Sequence, residues 1–140
     1  RVDGIIKSLS ETYGNESLLD IGCGTGFILD IAKKYFKKVV GIDITQAMLD
    51  RVDLSGGNVE IKIADSSEIP YKNSSFNVCT AYSFIHHLVD WSSTLIEVFR
   101  CLKKNGVFYS DEDPNYYCWM NRRQALMLRG QSNFTICLPK

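Results

Sequence analysis

The sequence predicts an α/β fold built on a doubly wound, mainly parallel sheet, and three observations carry that prediction. Short apolar runs suited to buried strands recur along the 140 residues, separated by stretches with helical periodicity. The first run, Leu18-Leu19-Asp20-Ile21, passes into three glycines spaced two apart, Gly22, Gly24 and Gly26, and then into a helical pattern. The first three runs each carry an aspartate at or near the end, Asp20, Asp43 and Asp65, and the fourth ends in Ala81-Tyr82-Ser83. In a parallel sheet those four ends lie along one edge, where ligands of such folds bind.

Each element has its own local reason. Val2, Ile5, Ile6, Leu9 and Tyr13 fit one face of an N-terminal helix, and Gly14-Asn15 ends it. The first strand is about Ser17 to Ile21, and its crossover helix about Thr25 to Tyr35, with Phe27, Ile28, Ile31 and Ala32 on one face. Val39 to Asp43 reads as the second strand, and Thr45 as the N-cap of a short helix. Val59, Ile61 and Ile63 alternate with Glu60 and Lys62, so the third strand (to Ala64) belongs near a sheet edge. Residues 66–75 form an irregular connection, and Phe76 to Tyr82 a fourth strand. A helix start falls at Phe84 to Leu88, and Trp91 to Leu102 is helical until Asn105-Gly106. The fifth strand is Val107 to Asp111, broken by Asp113-Pro114-Asn115. Tyr116 to Arg129 reads as a helix, and Phe134 to Leu138 as a short sixth strand.

Composition bounds the function classes. Sixteen basic and sixteen acidic side chains balance, so no excess charge argues for nucleic acid or an anionic membrane as partner. No apolar run is long enough to span a bilayer, and no signal peptide is expected. Five cysteines lie mostly in apolar runs without a C-x-x-C spacing. They read as buried small hydrophobes of a reducing, cytoplasmic protein, and no metal site is expected.

The glycine spacing separates two ligand classes. The dinucleotide fingerprint G-x-G-x-x-G needs a third glycine where this chain has Phe27. The pattern present is D-x-G-x-G-x-G, from Asp20 to Gly26. Asp43 by itself would also suit the ribose of a nicotinamide cofactor, whereas Phe27 and Asp65 do not fit that fingerprint.

With L-D-I-G-C-G-T-G, then G-I-D, an aspartate at the third strand end and an H-H-L segment, residues from about Leu18 to Asn115 resemble the class I S-adenosyl-L-methionine-dependent methyltransferases, of the small-molecule type. The resemblance implies a Rossmann-like sheet of order 3-2-1-4-5, with S-adenosyl-L-methionine as cofactor and S-adenosyl-L-homocysteine as product. It implies that backbone at Gly22, Cys23 and Gly24, in the loop closed by Gly26, lies against the methionine and ribose parts. Asp20 reaches the amino group, Asp43 the ribose hydroxyls, and Ile44 packs on the adenine. Asp65 accepts the adenine amino hydrogen, and the Ser66 amide faces a ring nitrogen. Ala81 and Tyr82 flank the methionine chain.

His86, His87 and Tyr82 are the candidate bases toward the acceptor. For the histidines, the plain alternative is one buried, hydrogen-bonded ring and one exposed ring. Tyr116, Tyr117, Trp119 and Met120 read first as a helix packing face and second as an acceptor wall; Arg122, Arg123 and Arg129 read as a solvated face.

The expected reaction is methyl transfer to an oxygen, nitrogen or carbon nucleophile of a small molecule. Two other readings stay open at this point: a non-catalytic S-adenosyl-L-methionine-binding module acting through a partner, and an NAD-dependent oxidoreductase. Against the family pattern, Asn77 stands where an aspartate is usual, with a modest structural effect expected. Residues 1–140 read as a single domain shortened at its C-terminal edge and lacking an N-terminal lid, with a homodimer or partner covering the exposed edge.

Overall fold

The computed structural model describes residues 1–113 and the strand Thr135–Cys137. The elements run α1 (Val2–Tyr13), β1 (Ser17–Ile21), α2 (Phe27–Ala32), β2 (Lys38–Asp43), α3 (Gln46–Leu49) and β3 (Val59–Ile63). They continue with β4 (Phe76–Tyr82), a 3-10 turn (Ile85–His87), α4 (Ser92–Cys101), β5 (Leu102–Asp111) and β6 (Thr135–Cys137). The sheet has the order β3-β2-β1-β4-β5-β6, and every neighbouring pair is parallel. The expected 3-2-1-4-5 core is therefore present, with β6 added beside Val107–Tyr109 of β5. Strand order reverses between β1 and β4, which sets the ligand crevice beyond their carboxyl ends.

Alternation along the strands divides the core into two layers. Leu19, Val40, Cys79 and Phe108 face α4, where Leu95, Val98 and Cys101 meet them. Their neighbours Leu18, Val39, Val78 and Val107 face α1 and α2, against Ile6, Leu9, Ile28, Leu29 and Ala32. All five residues of β1 are buried, as a central strand covered on both faces requires. β3 is the edge strand its alternation predicts, and Ile63 is 53% exposed there. Among the described residues, no helix is long and apolar enough to cross a membrane.

Two elements and one cap differ from the sequence expectation. α2 is shorter at both ends: Gly26, at φ 93, still belongs to the loop, and the backbone turns again from Lys33. Thr45 occupies the N-cap position of α3 without a side-chain cap hydrogen bond. β5 starts at Leu102, which pairs with Phe76, yet the next pair is Val78 with Val107. The Asn105-Gly106 turn lies inside that interval as a large bulge, with Asn105 at φ 65. A Cβ on Gly106 would sit 2.9 Å from the Lys103 carbonyl and 3.0 Å from that of Asn77.

Asn77 opposes this bulge and has more to do than its place at a strand start suggested. Its Nδ2 donates to the Tyr13 carbonyl at 3.1 Å. Its Oδ1 accepts from Lys103 Nζ at 2.9 Å and from Ser17 Oγ at 3.3 Å. One amide thus ties the end of α1 to β1 and to the bulge. A carboxylate lacks the donor needed at Tyr13.

Candidate active site

The site is built on the carboxyl edge of β1, β2 and the following turns. Gly22, Gly24 and Gly26 all take positive φ, at 66, 52 and 93. The Gly22 and Cys23 amides donate to the Ile42 carbonyl at 2.9 and 3.0 Å, which laces the loop to β2. The Gly24 amide donates to Asp43 Oδ2 at 3.0 Å. The Phe84 ring, from the segment after β4, lies over the Gly22 backbone where any Cβ would have to go.

A cleft of about 150 Å³ opens beside this loop. Of the residues expected from sequence, Gly22, Asp43, Ile44, Asp65, Ser66 and His87 line it, joined by Phe84 and Leu88. Asp43 already accepts two backbone amides, Thr45 N on Oδ1 at 2.8 Å and Gly24 N on Oδ2 at 3.0 Å. A carboxylate offers about four lone-pair positions, so both oxygens retain acceptor capacity. Asp65 is exposed, and its Oδ1 accepts the Ser67 amide at 2.8 Å and hydroxyl at 2.7 Å. Those bonds, the amide first, hold its carboxyl below the ordinary range. Its Oδ2 has no partner among the described residues. Ser66 is buried with its Oγ 2.7 Å from Thr94 Oγ1, which orients the backbone at the cleft wall. Ile44 presents an apolar side chain that is 70% exposed.

Other expected residues stand behind the cleft rather than in its lining. Asp20 is buried and accepts the Thr80 hydroxyl at 2.6 Å, from the residue directly beside it on β4. Burial pushes its carboxyl up to about 7, with Thr80 opposing the shift and the Asp43 charge adding to it. Cys23 is buried in the α2-facing layer, and burial pushes its thiol up. Gly24 and Gly26 continue the loop, and Ala81 is buried in the α4-facing layer. Tyr82 packs on Phe27 with ring centroids 5.2 Å apart, on the α1 and α2 side of the sheet.

The two histidine rings lie against each other, with centroids 4.0 Å apart, but have different surroundings. His87 is exposed at the cleft, whereas His86 Nδ1 lies 3.0 Å from Asp113 Oδ1. Sequence reasoning read Asp113 only as the end of a strand, and Phe84 and Thr80 carried no local signal at all. Ser83 and Glu112 hold left-handed backbone, at φ 52 and 57, and the Ser83 amide donates to the Asp111 carbonyl at 2.8 Å. Strained non-glycine residues thus mark the exits of β4 and β5, as is common where a fold positions chemistry. The aromatic cluster Tyr116, Tyr117, Trp119, Met120 and the arginines 122, 123 and 129 lie outside the described residues.

The connection carrying Ser66 is clamped from α4. Arg100 Nε and Nη2 each donate to Glu97 at 2.7 Å. Its remaining hydrogens reach the carbonyls of Tyr71 at 2.7 Å and Ile69 at 2.8 Å, and Asn73 Oδ1 at 3.0 Å. Arg100→Ala is expected to cost about 2 kcal/mol, because the freed carbonyls are partly re-solvated. Arg100→Lys would recover little of it, lacking the planar fork. Urea denaturation checks the cost, and faster amide exchange confined to residues 69–75 checks the location.

Residues 19–110, more than half of the chain, match the methyltransferase domain family. The chain belongs to that family. It is 28% identical over 108 residues to a Mycolicibacterium smegmatis protein named "Probable S-adenosylmethionine-dependent methyltransferase", covering 77% of this chain and 42% of that one. It is 33% identical over 97 residues to a demethylmenaquinone methyltransferase of Lactobacillus johnsonii, covering 63% and 40%. YcgJ of Bacillus subtilis, an uncharacterized methyltransferase, has a solved structure that superposes with a TM-score of 0.69 at 26% identity, covering 89% of this chain and 57% of that one. The chain thus spans less than half the length of the Mycolicibacterium smegmatis and Lactobacillus johnsonii relatives and 57% of the YcgJ chain. Family membership brings S-adenosyl-L-methionine as its cofactor, and the site is consistent with it. An apolar wall (Ile44), two carboxylates and an open glycine loop meet at one crevice, and nothing lies within 4 Å of where a Gly24 Cβ would be.

Proposed function

We propose that this domain transfers the sulfonium methyl of S-adenosyl-L-methionine to an oxygen, nitrogen or carbon nucleophile of a small-molecule acceptor. The observation that carries the reading is the convergence of Gly22, Asp43, Ile44 and Asp65 on one crevice at the strand-order reversal. The cofactor supplies a methyl group already activated by the positive charge on sulfur. Asp43 accepts from ribose hydroxyls while staying anchored to the Gly24 and Thr45 amides. Asp65 Oδ2 accepts the adenine amino hydrogen, and Ile44 covers the ring. Asp20 balances the positive charge of the methionine end. The protein's own contribution is alignment and exclusion of water. His86, His87 and Tyr82 are the side chains offered for taking an acceptor proton. The reading includes cytoplasmic residence, and a second copy or partner chain covering a sheet edge.

Calorimetric titration of the chain with S-adenosyl-L-methionine, S-adenosyl-L-homocysteine and NAD tests it. Micromolar binding of both adenosyl ligands and none of NAD is expected. Asp43→Ala removes an acceptor and frees the loop, so it should weaken binding about 100-fold, near 3 kcal/mol. A folded chain that binds neither adenosyl ligand would sink the reading.

A further inference from the structure

We propose that Asp113 is a positioning residue that fixes the hydrogen of the His86 ring on Nδ1 and so makes Nε2 the proton-accepting atom on the acceptor side of the site. The proposal rests on the methyltransferase reading above, and it starts from strand pairing. β4 and β5 run side by side with Tyr82 opposite Asp111, so the turn after β4 and the residues after β5 meet. There Asp113 Oδ1 lies 3.0 Å from His86 Nδ1 and also accepts the His86 backbone amide at 3.2 Å. Asp113 Oδ2 accepts the Ser110 hydroxyl at 2.6 Å. The Asp113 side chain is 2% exposed and that of His86 is 23% exposed.

An ionised carboxylate only accepts hydrogen bonds. The ring nitrogen facing it must therefore carry the hydrogen, and in a neutral imidazole the other nitrogen then holds the lone pair. Ser110 and the His86 amide hold the carboxylate from two sides, so neither the ring nor its partner turns freely. Free imidazole has no such constraint. The arrangement places a base of defined tautomer at the exits of β4 and β5.

The chemistry balances without a further reactant. Nε2 takes the hydrogen of an acceptor O–H or N–H as a proton, and the electron pair stays on the acceptor atom. That atom forms the bond to the methyl carbon as the carbon–sulfur bond breaks. The pair from that bond remains on sulfur, which loses its charge. The imidazolium then returns its proton to solvent.

The test is nitrogen-15 NMR of the imidazole rings in the whole chain, at a pH where both are neutral. His86 and His87 are the only histidines, and His87→Gln assigns the signals. His86 is expected to show a protonated Nδ1 and a bare Nε2. In Asp113→Ala, which removes the acceptor altogether, the population should move to the Nε2–H form, with binding of S-adenosyl-L-methionine changed less than about twofold. If that variant does not fold, Ser110→Ala keeps the carboxylate but loosens it, and a mixture of tautomers is expected. A wild-type His86 with its hydrogen on Nε2, or an unchanged tautomer in a folded Asp113→Ala, overturns the proposal. Failure to bind adenosyl ligands would instead overturn the methyltransferase reading, and the tautomer measurement is independent of it.

Discussion

Gly22→Ala is expected to abolish adenosyl-ligand binding in the micromolar range and to lower stability by about 3 kcal/mol. Two costs combine. Gly22 sits at φ 66, where an L side chain costs about 1–2 kcal/mol. The new Cβ would also lie 2.5 Å from Phe84 Cγ and 2.6 Å from its Cε2. That overlap forces the ring off its seat, at about 1–3 kcal/mol for an overpacked site. Because Phe84 and Gly22 both line the cleft, moving either one reshapes it. A double-mutant cycle with Phe84→Ala separates the costs. Removing the ring relieves the overlap and leaves the backbone cost, so urea denaturation should give a coupling of about 1–2 kcal/mol between the positions. A coupling near zero would mean that the ring swings away freely and that the loss is all backbone.

Asp20→Asn is expected to stabilise the domain strongly at pH 8 and hardly at all at pH 4. The Asp20 carboxyl is pushed from 3.8 to about 7, mainly by burial. Between those values the folded chain keeps a proton that the unfolded chain has released. Stability attributable to this group therefore falls as pH rises from about 4 to about 7, and the whole cost is present above that. A shift of about three units corresponds to roughly 4 kcal/mol. Asparagine does not ionise, and its carbonyl can still accept from Thr80. Urea denaturation of both proteins across this window should give curves that diverge with rising pH. Parallel curves would show that Asp20 ionises in the folded state as easily as in water. On the proposed reading the variant should also bind S-adenosyl-L-methionine more weakly, because the charge assigned to the methionine end is lost. A gain in stability with a loss in binding would mark the buried carboxylate as kept for function.

Much of this domain is written locally. The apolar run through Ile21, the glycines after it and the helix beyond need no distant partner to be recognised, since each follows from residues a few positions apart. The alternation in β3 announced an edge strand, and the positive φ values of Gly22, Gly24 and Gly26 meet the freedom that only glycine has. Asp43, Ile44, Asp65 and Ser66 could be placed because they follow strand ends, and in a parallel sheet those ends share an edge. Boundaries were less legible where a neighbour decides them. The start of β5 is a pairing between Leu102 and Phe76 across a bulge, and no periodicity in either segment contains it.

By itself, then, the sequence determined the order of elements, the glycine loop and the carboxylates that line the cleft. Only the tertiary structure decided which residues answer them. Thr80 lies 60 positions from Asp20 and meets it because β4 pairs with β1. Asp113 meets His86 because β5 pairs with β4, and Phe84 covers Gly22 because the chain folds back after β4. The physical reason is the same in each case. A strand's own pattern says which face it buries but not which strand lies beside it. A side chain's protonation and hydrogen-bond partners are set by that neighbour.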